Sequence, residues 1–281
     1  MMDLQNIGKK AAQTLSAEDD YLGADGLLYC GKCRTAKQIR IRFDGEEQSV
    51  YCMCACMERE YERMMKEKRR NEMQYRIDRN RQNAFGYCGD HDAKLHSFTF
   101  SADDGKNASL SKICRRYAER FHSGIKWLVL YGKTDAGKTF GAACIANQLL
   151  EEGYSVRFVT ASQVEKRLWD ARIKSEIYGE LSGCDLLVLD DLGSERSSEY
   201  MDEIVFNILD DRLRSGKPMI ITTNINLTEI RDENRMQKQR IYSRLCERSA
   251  FFLCEEMGRR RTNARVESAA FIRELLNDEK F

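Results

Sequence analysis

From Ile125 onward, short apolar runs alternate with longer stretches whose apolar residues recur every three to four positions. Trp127–Tyr131, Val156–Thr160, Leu186–Asp190 and Met219–Thr223 read as strands. Thr139–Leu150, Val164–Leu181 and Tyr200–Leu213 read as helices. Such alternation predicts an α/β fold with a parallel sheet covered by helices.

Upstream the pattern differs. Residues 1–28 read as a short amphipathic lead segment. Ile39-Arg40-Ile41-Arg42-Phe43 alternates strictly, Asp44-Gly45 supplies a turn, and Val50 to Cys52 forms a return strand. Residues 57–82 are strong helix formers with interleaved charges, among them Glu60, Glu62 and Lys66. They predict a solvated helix linking two domains, with a grip on a partner protein as the competing reading. Phe98-Thr99-Phe100 reads as a short strand or anchor. Leu110 to Phe121 reads as a helix with Ile113, Tyr117 and Phe121 on one face. No internal repeat or low-complexity segment occurs.

Composition narrows the class. A chain of 281 residues has room for two domains, and 42% hydrophobic with 32% charged residues is a globular profile. No run approaches the ~18 apolar residues of a membrane span. The opening MMDLQNIGKK has no apolar core of a secretory signal, so the expected location is the cytoplasm. A net charge of +1 excludes a general attraction to nucleic acid, so such contact must come from a local patch. The single proline, Pro218, leaves domain boundaries to periodicity and charge.

Five of the eleven cysteines fall between Cys30 and Cys56, and the rest are scattered. Cys30-x2-Cys33 and Cys52-x-Cys54-x-Cys56 flank the predicted hairpin, which would bring the two groups together. Thiolates at this spacing suit a tetrahedral structural zinc. Five cysteines compete for four places. Cys30, Cys33 and Cys52 are expected ligands, with Cys54 preferred over Cys56 as the fourth. Reduced free thiols are the competing reading. His91 and His96 near Cys88 are a weaker candidate for another site.

Gly132-Lys133-Thr134-Asp135-Ala136-Gly137-Lys138-Thr139 matches the G-x4-G-K-[ST] pattern of a phosphate-binding loop, between a strand and a helix as the pattern requires. Glycines let backbone amides approach phosphates closely, and the helix start adds positive potential. Lys138 is expected to reach the β- and γ-phosphates of a nucleotide, and Thr139 to ligate Mg²⁺. Leu186-Leu187-Val188-Leu189-Asp190-Asp191 ends a buried strand in two carboxylates: Asp190 is expected to hold Mg²⁺, and Asp191 to face the attacking water. Asn224, ending the next strand, is placed to hold that water; Thr222 and Thr223 are weaker candidates. Arg240, Arg244 and Arg248 lie at i, i+4 and i+8 of a helix-like RIYSRLCER. They are candidates for an arginine finger in a neighbouring subunit's site, with Arg259-Arg260-Arg261 the candidates for a second arginine in cis.

These motifs in this order resemble the AAA+ ATPases of the bacterial helicase-loader family (DnaC/DnaI type), including versions carried by phages and mobile elements. The resemblance runs from about Cys30 to Ala270. It is carried by LYGKTDAGKTFGAACIANQLL, by DLLVLDDLGSERSSEYMDEIVFNILDDRLRSGKPMIITTNI and by RIYSRLCER. It implies an AAA+ P-loop NTPase behind a small zinc-ribbon-like domain. The implied division is residues 1–56 as a zinc-binding, helicase-docking module, 57–96 as a charged helical linker and 97–281 as the ATPase. By position it implies Lys138 and Thr139 as the loop pair, Asp190 and Asp191 as the acidic pair, Asn224 as first sensor, Arg244 as arginine finger, and Arg261, over Arg260, as second sensor. Asp135 departs from the glycine usual in the family, and an acid beside phosphates weakens affinity unless it points away.

The implied function is ATP-dependent loading of a replicative hexameric helicase onto single-stranded DNA, with ATP, Mg²⁺ and Zn²⁺ as cofactors and an ATP-dependent homo-oligomer as the working form. Lys166, Arg167, Trp169, Arg172 and Lys174 are the candidate DNA contacts, against an ordinary surface helix. Two rivals remain: a transposition helper ATPase of the IstB type, and an ATP-gated adaptor with negligible turnover.

Overall fold

The structure is a computed structural model that describes residues 17–43, 45–86, 92–170, 174–194, 198–226 and 235–255. The chain divides into two compact units between Gln74 and Tyr75.

The first unit contains two small hairpins. Strand β1 (Tyr21–Leu22) pairs antiparallel with β2 (Leu28–Tyr29), and β3 (Gln38–Phe43) with β4 (Glu46–Tyr51). Phe43 pairs with Glu46, and Gly45 at φ 85 supplies the left-handed residue the tight turn needs. The return strand is longer than expected and ends at Tyr51, before the cysteines. Helix α1 (Ala55–Ala84) follows, two residues longer at each end than predicted, and the division between the units falls inside it. It is polar all round, as the interleaved charges required, until Asn80 and Ala84 are buried near its end.

In the second unit, α2 (Asp92–His96) and α3 (Ala108–Glu119) precede the sheet. Asn107 caps α3 by accepting the Leu110 amide at 3.1 Å, worth about 1 kcal/mol for such caps. The buried line of α3 is Leu110, Cys114 and Ala118; Ile113, Tyr117 and Phe121 flank it half-buried. Phe98 to Phe100 forms no strand. Phe98 packs its ring 5.1 Å from Phe140 instead, the anchor alternative.

The sheet comprises β5 (Trp127–Tyr131), β6 (Val156–Thr160), β7 (Leu186–Leu192), β8 (Met219–Thr223) and β9 (Ser249–Leu253). Its order is β6-β7-β8-β5-β9, with every pairing parallel. The predicted strands are all present, and β9, which the sequence reading missed, adds the edge beside β5. Between the strands lie α4 (Lys138–Glu151), α5 (Ala161–Asp170), α6 (Lys174–Gly183), α7 (Glu199–Ser215) and α8 (Met236–Arg248). The single helix expected over Val164–Leu181 is two helices, α5 and α6.

Both sheet faces are covered, so the central strands β5, β7 and β8 are near-continuous apolar runs along most of their length. Trp127, Val129, Leu187, Leu189 and Ile221 face one cluster with α5 to α8; Leu128, Leu130, Val188 and Ile220 face the other with α3 and α4. Each such buried side chain contributes about 1.5–3 kcal/mol. Arg212 of α7 is fully buried and donates to the carbonyls of Ser182 at 3.1 Å and Cys184 at 2.8 Å, and to that of Pro218. It therefore fixes the entry of β7 to the entry of β8, the two strands whose far ends carry the acidic pair and Asn224. No helix among the described residues is long and apolar enough to cross a membrane.

Candidate nucleotide site and cysteine centre

The predicted phosphate loop joins β5 to α4, at the carboxyl end of the sheet where open α/β folds bind ligands. Gly132 has φ 135, and a Cβ there would stand 2.4 Å from the Cys254 carbonyl oxygen, so only glycine fits. Gly137 caps α4 with φ 83. Between them Asp135 adopts φ 73, a left-handed backbone that costs a non-glycine residue about 1–2 kcal/mol. Ala136 is buried, and its carbonyl accepts from the Asn107 side chain at 3.4 Å. Asn107 therefore holds both the start of α3 and the loop, a role with no local sequence signal.

Lys138 folds back over the loop. Its ammonium donates to the Gly132 carbonyl at 2.8 Å, the Lys133 carbonyl at 2.7 Å and Asn224 Oδ1 at 2.8 Å. The Asn224 amide in turn donates to Asp191 Oδ1 at 3.0 Å. Alongside, the Thr139 hydroxyl donates to both Asp190 carboxylate oxygens, at 3.0 and 3.2 Å. The structure thus brings Lys138, Thr139, Asp190, Asp191 and Asn224 together. Lys133 and Thr134 are exposed at the loop tip.

Consecutive strand residues normally point to opposite faces, yet both acids reach the same cluster of side chains. The register between β7 and β8 is irregular between Leu189 and Leu192, and Asp191 has φ 57. This irregularity re-aims Asp191 beside Asp190. Thr222, ranked low from sequence, holds the pair. Its hydroxyl donates to Asp190 Oδ1 at 2.6 Å and accepts the Asp191 amide at 2.8 Å. Thr223 is turned away, its hydroxyl donating to the Leu192 carbonyl at 2.7 Å. Burial pushes the Asp190 carboxyl above the usual carboxylate range, and the hydrogen bonds from Thr222 and Thr139 oppose that rise. A buried carboxylate touching a threonine hydroxyl, both oxygen donors, is a donor set suited to Mg²⁺.

Arg244 lies on α8 against α7. It pairs with Asp210 at 3.2 Å and Glu247 at 3.5 Å, and its guanidinium stands 5.9 Å from the Phe206 ring centre. Arg248 donates to the Gly216 carbonyl at 2.7 Å, and Arg240 is exposed. Arg261 and its neighbours Arg259 and Arg260 lie outside the described residues. So do Arg172, Cys88 and His91. His96 packs edge-on against Phe85 at 4.5 Å. Of the candidate DNA contacts, Arg167 is tied to the Gly86 carbonyl at 2.8 Å. Trp169 is exposed and stands 6.3 Å from Tyr200, over whose ring the Lys174 ammonium lies at 5.8 Å.

The first unit gathers Cys30, Cys33, Cys54 and Cys56, with all sulfurs within 4.8 Å of one another. The structure brings Cys56 into this group and leaves Cys52, expected from the spacing, outside it. Cys52 still belongs to the hairpin ladder, its amide bonded to the Lys37 carbonyl at 2.8 Å and its thiol directed at the Ala36 carbonyl at 3.6 Å. Cys54 and Cys56 instead straddle the first turn of α1, where the Glu58 amide bonds the Cys54 carbonyl at 2.9 Å.

Sulfur separations of 3.6 Å for Cys30–Cys56 and 3.3 Å for Cys54–Cys56 are close to the edge of a tetrahedral zinc–sulfur site, about 3.8 Å for bonds of ~2.3 Å. The Thr35 hydroxyl draws the Cys33 thiol down to about 5, whereas hydrogen bonding with Cys54 and the other cluster thiols pushes Cys56 up to about 12. Cys30, Cys33, Cys54 and Cys56 offer four sulfurs at this spacing, a donor set that fits zinc.

A model of the IstB-like ATP binding protein family matches residues 45–248. The replicative helicase loader DnaC of Escherichia coli K12 is 34% identical over 132 residues, which cover 45% of this chain and 54% of DnaC. The replicative helicase loader DnaI of Bacillus subtilis 168 is 31% identical over 110 residues, 38% of this chain and 35% of DnaI. The chain therefore spans about half, or less, of the length of these curated relatives. A solved DNA replication initiation factor shares the fold, with a TM-score of 0.50 at 17% identity over 66% of this chain and 56% of that one. With the family model matched over most of its length and the phosphate-loop geometry in place, the chain belongs to the family of IstB-like ATP binding proteins.

Proposed function

We propose that this protein is an ATP-driven loader of a replicative DNA helicase onto single-stranded DNA, acting in the cytoplasm as an ATP-dependent homo-oligomer. The observation that carries the ATPase half is the circuit joining Lys138 to Asn224 and Asn224 to Asp191, beside the Thr139–Asp190 pair. The loader half rests on likeness to proteins named replicative helicase loaders. The four-cysteine unit ahead of the ATPase favours a loader over a transposition helper.

The roles proposed for each residue rest on the motifs and, for Lys138, Thr139, Asp190, Asp191 and Asn224, on their mutual contacts. The loop amides and Lys138 receive phosphate oxygens, and Thr139 and Asp190 hold Mg²⁺. Bound Mg²⁺·ATP supplies the electrophilic phosphorus and the charge that develops as its terminal phosphoryl group leaves. Asn224 and Asp191 orient a water for in-line attack, with Asp191 accepting its hydrogen bond. Arg244 serves the neighbouring subunit's site and Arg261 its own. A zinc-binding module over residues 1–56 docks the helicase, and residues 57–96 link it to the ATPase of residues 97–281. Trp169, Lys166 and Lys174, with Tyr200, form a stacking and charge surface for single-stranded DNA.

An unwinding assay on protein-coated single-stranded circles with the host helicase tests this. Unwinding that requires both the chain and ATP is the expected result. Unwinding indifferent to the chain, with ATP-dependent assembly on duplex DNA, would point to the transposition helper.

A further inference from the structure

Among the described residues of the first unit, only three are fully buried: Cys30, Cys54 and Lys37. Two are members of the cysteine centre. The third is a lysine, and no apolar core encloses it among the described residues of the unit. Its side chain is 4% exposed and that of its partner Asp20 is 3% exposed.

We propose that Lys37 is the outer-shell cation of the four-cysteine centre and that Asp20 fastens it to the first cysteine knuckle. This rests on the zinc reading given above. Asp20 accepts the Lys37 ammonium, the Ala17 amide at 2.7 Å and the Gly31 amide at 3.2 Å. Gly31 lies inside the Cys30–Cys33 knuckle and presses on the chain beside Asp20, since a Cβ at Gly31 would stand 2.1 Å from the Asp19 carbonyl oxygen. The Lys37 backbone binds the other parts of the unit. Its amide donates to the Leu28 carbonyl at 2.7 Å, and its carbonyl accepts from Cys52 at 2.8 Å. One residue therefore ties both hairpins to the acid that holds the knuckle.

Electrostatics supply the reason for a lysine. Four thiolates around a divalent zinc carry a net charge of two negative. A buried ammonium is costly on its own and is stabilised by such a charge. The Lys37 ammonium is held above its ordinary range: burial works against it, while the Asp20 hydrogen bond and then the Cys30 and Cys54 sulfurs outweigh that cost. Partners outside the ligand shell typically set metal retention by about 10–100-fold.

The test uses the full chain with Lys37→Met, Lys37→Arg and Asp20→Asn. Zinc release to a chromophoric chelator and the thiolate-to-metal charge-transfer band of the cobalt-substituted protein are read together. Lys37→Met is expected to release zinc at least about tenfold faster. Its cobalt band is expected to move to lower energy, because a lost cation raises the sulfur lone pairs. Lys37→Arg is expected to keep the wild-type band and most of the retention. Wild-type release and band position in Lys37→Met would overturn the proposal. So would equal loss in Lys37→Met and Lys37→Arg with no band shift, which marks a packing role only. If Lys37→Met holds no cobalt, Asp20→Asn decides: faster release with a shifted band supports the proposal, and wild-type release, or faster release with the band unmoved, overturns it. A wild-type chain that binds no zinc removes the zinc reading itself, a result distinct from these.

Discussion

Lys138 and Asn224, 86 residues apart in sequence, meet at 2.8 Å, and Asn224 passes the contact on to Asp191. The side chains proposed to receive phosphate and to face the attacking water thereby share one amide. Asn224→Ala should lower ATP turnover by about a hundredfold, the usual loss on removing one oriented polar group. ATP affinity should change little, because the loop amides and Lys138 remain. Steady-state turnover together with calorimetric binding checks both halves.

Asp190 is a buried carboxylate supported by two hydroxyl donors, from Thr139 and Thr222. Its raised pKa means the native state favours the protonated acid, so its contribution is present at low pH and lost as pH rises through the raised value. At neutral pH the ionised group therefore destabilises the nucleotide-free protein. Asp190→Asn should raise the melting temperature without Mg²⁺·ATP, by a margin that shrinks as pH falls through the carboxylate range. The same substitution should abolish Mg²⁺-dependent turnover. Thermal melts across pH and a turnover assay test the pair.

Asp135 combines a left-handed backbone with a negative charge in the phosphate loop. Asp135→Gly should relieve about 1 kcal/mol of backbone strain and tighten ATP binding severalfold. Calorimetry giving an unchanged or weaker affinity would contradict this.

Cys56 lies inside the sulfur cluster and Cys52 outside it. Cys56→Ser should cut zinc content well below one per chain, while Cys52→Ser should leave it intact. Metal analysis of the two purified variants separates the cysteine set the structure brings together from the one the spacing suggested.

Much of this was legible in the sequence. Continuous apolar runs marked β5 to β8, since strands buried on both faces have no polar side, and the phosphate-loop pattern placed Lys138 and Thr139. What stayed hidden depends on contacts between distant residues. SAFFL, the edge strand β9, is short and follows a helix without punctuation. The choice of Cys56 over Cys52 depends on where β4 stops and α1 begins. Thr222 gains its role from a register irregularity on the neighbouring strand. Arg212 reads as one more charge on a helix, yet it is fully buried among backbone carbonyls.

The most direct measurement is native mass spectrometry of the full chain mixed with the host replicative helicase, with and without ATP. The proposed function predicts a helicase-bound species whose mass includes one zinc per copy of the chain and whose abundance responds to ATP. A chain that never associates with the helicase, yet oligomerises on DNA with ATP, would contradict it.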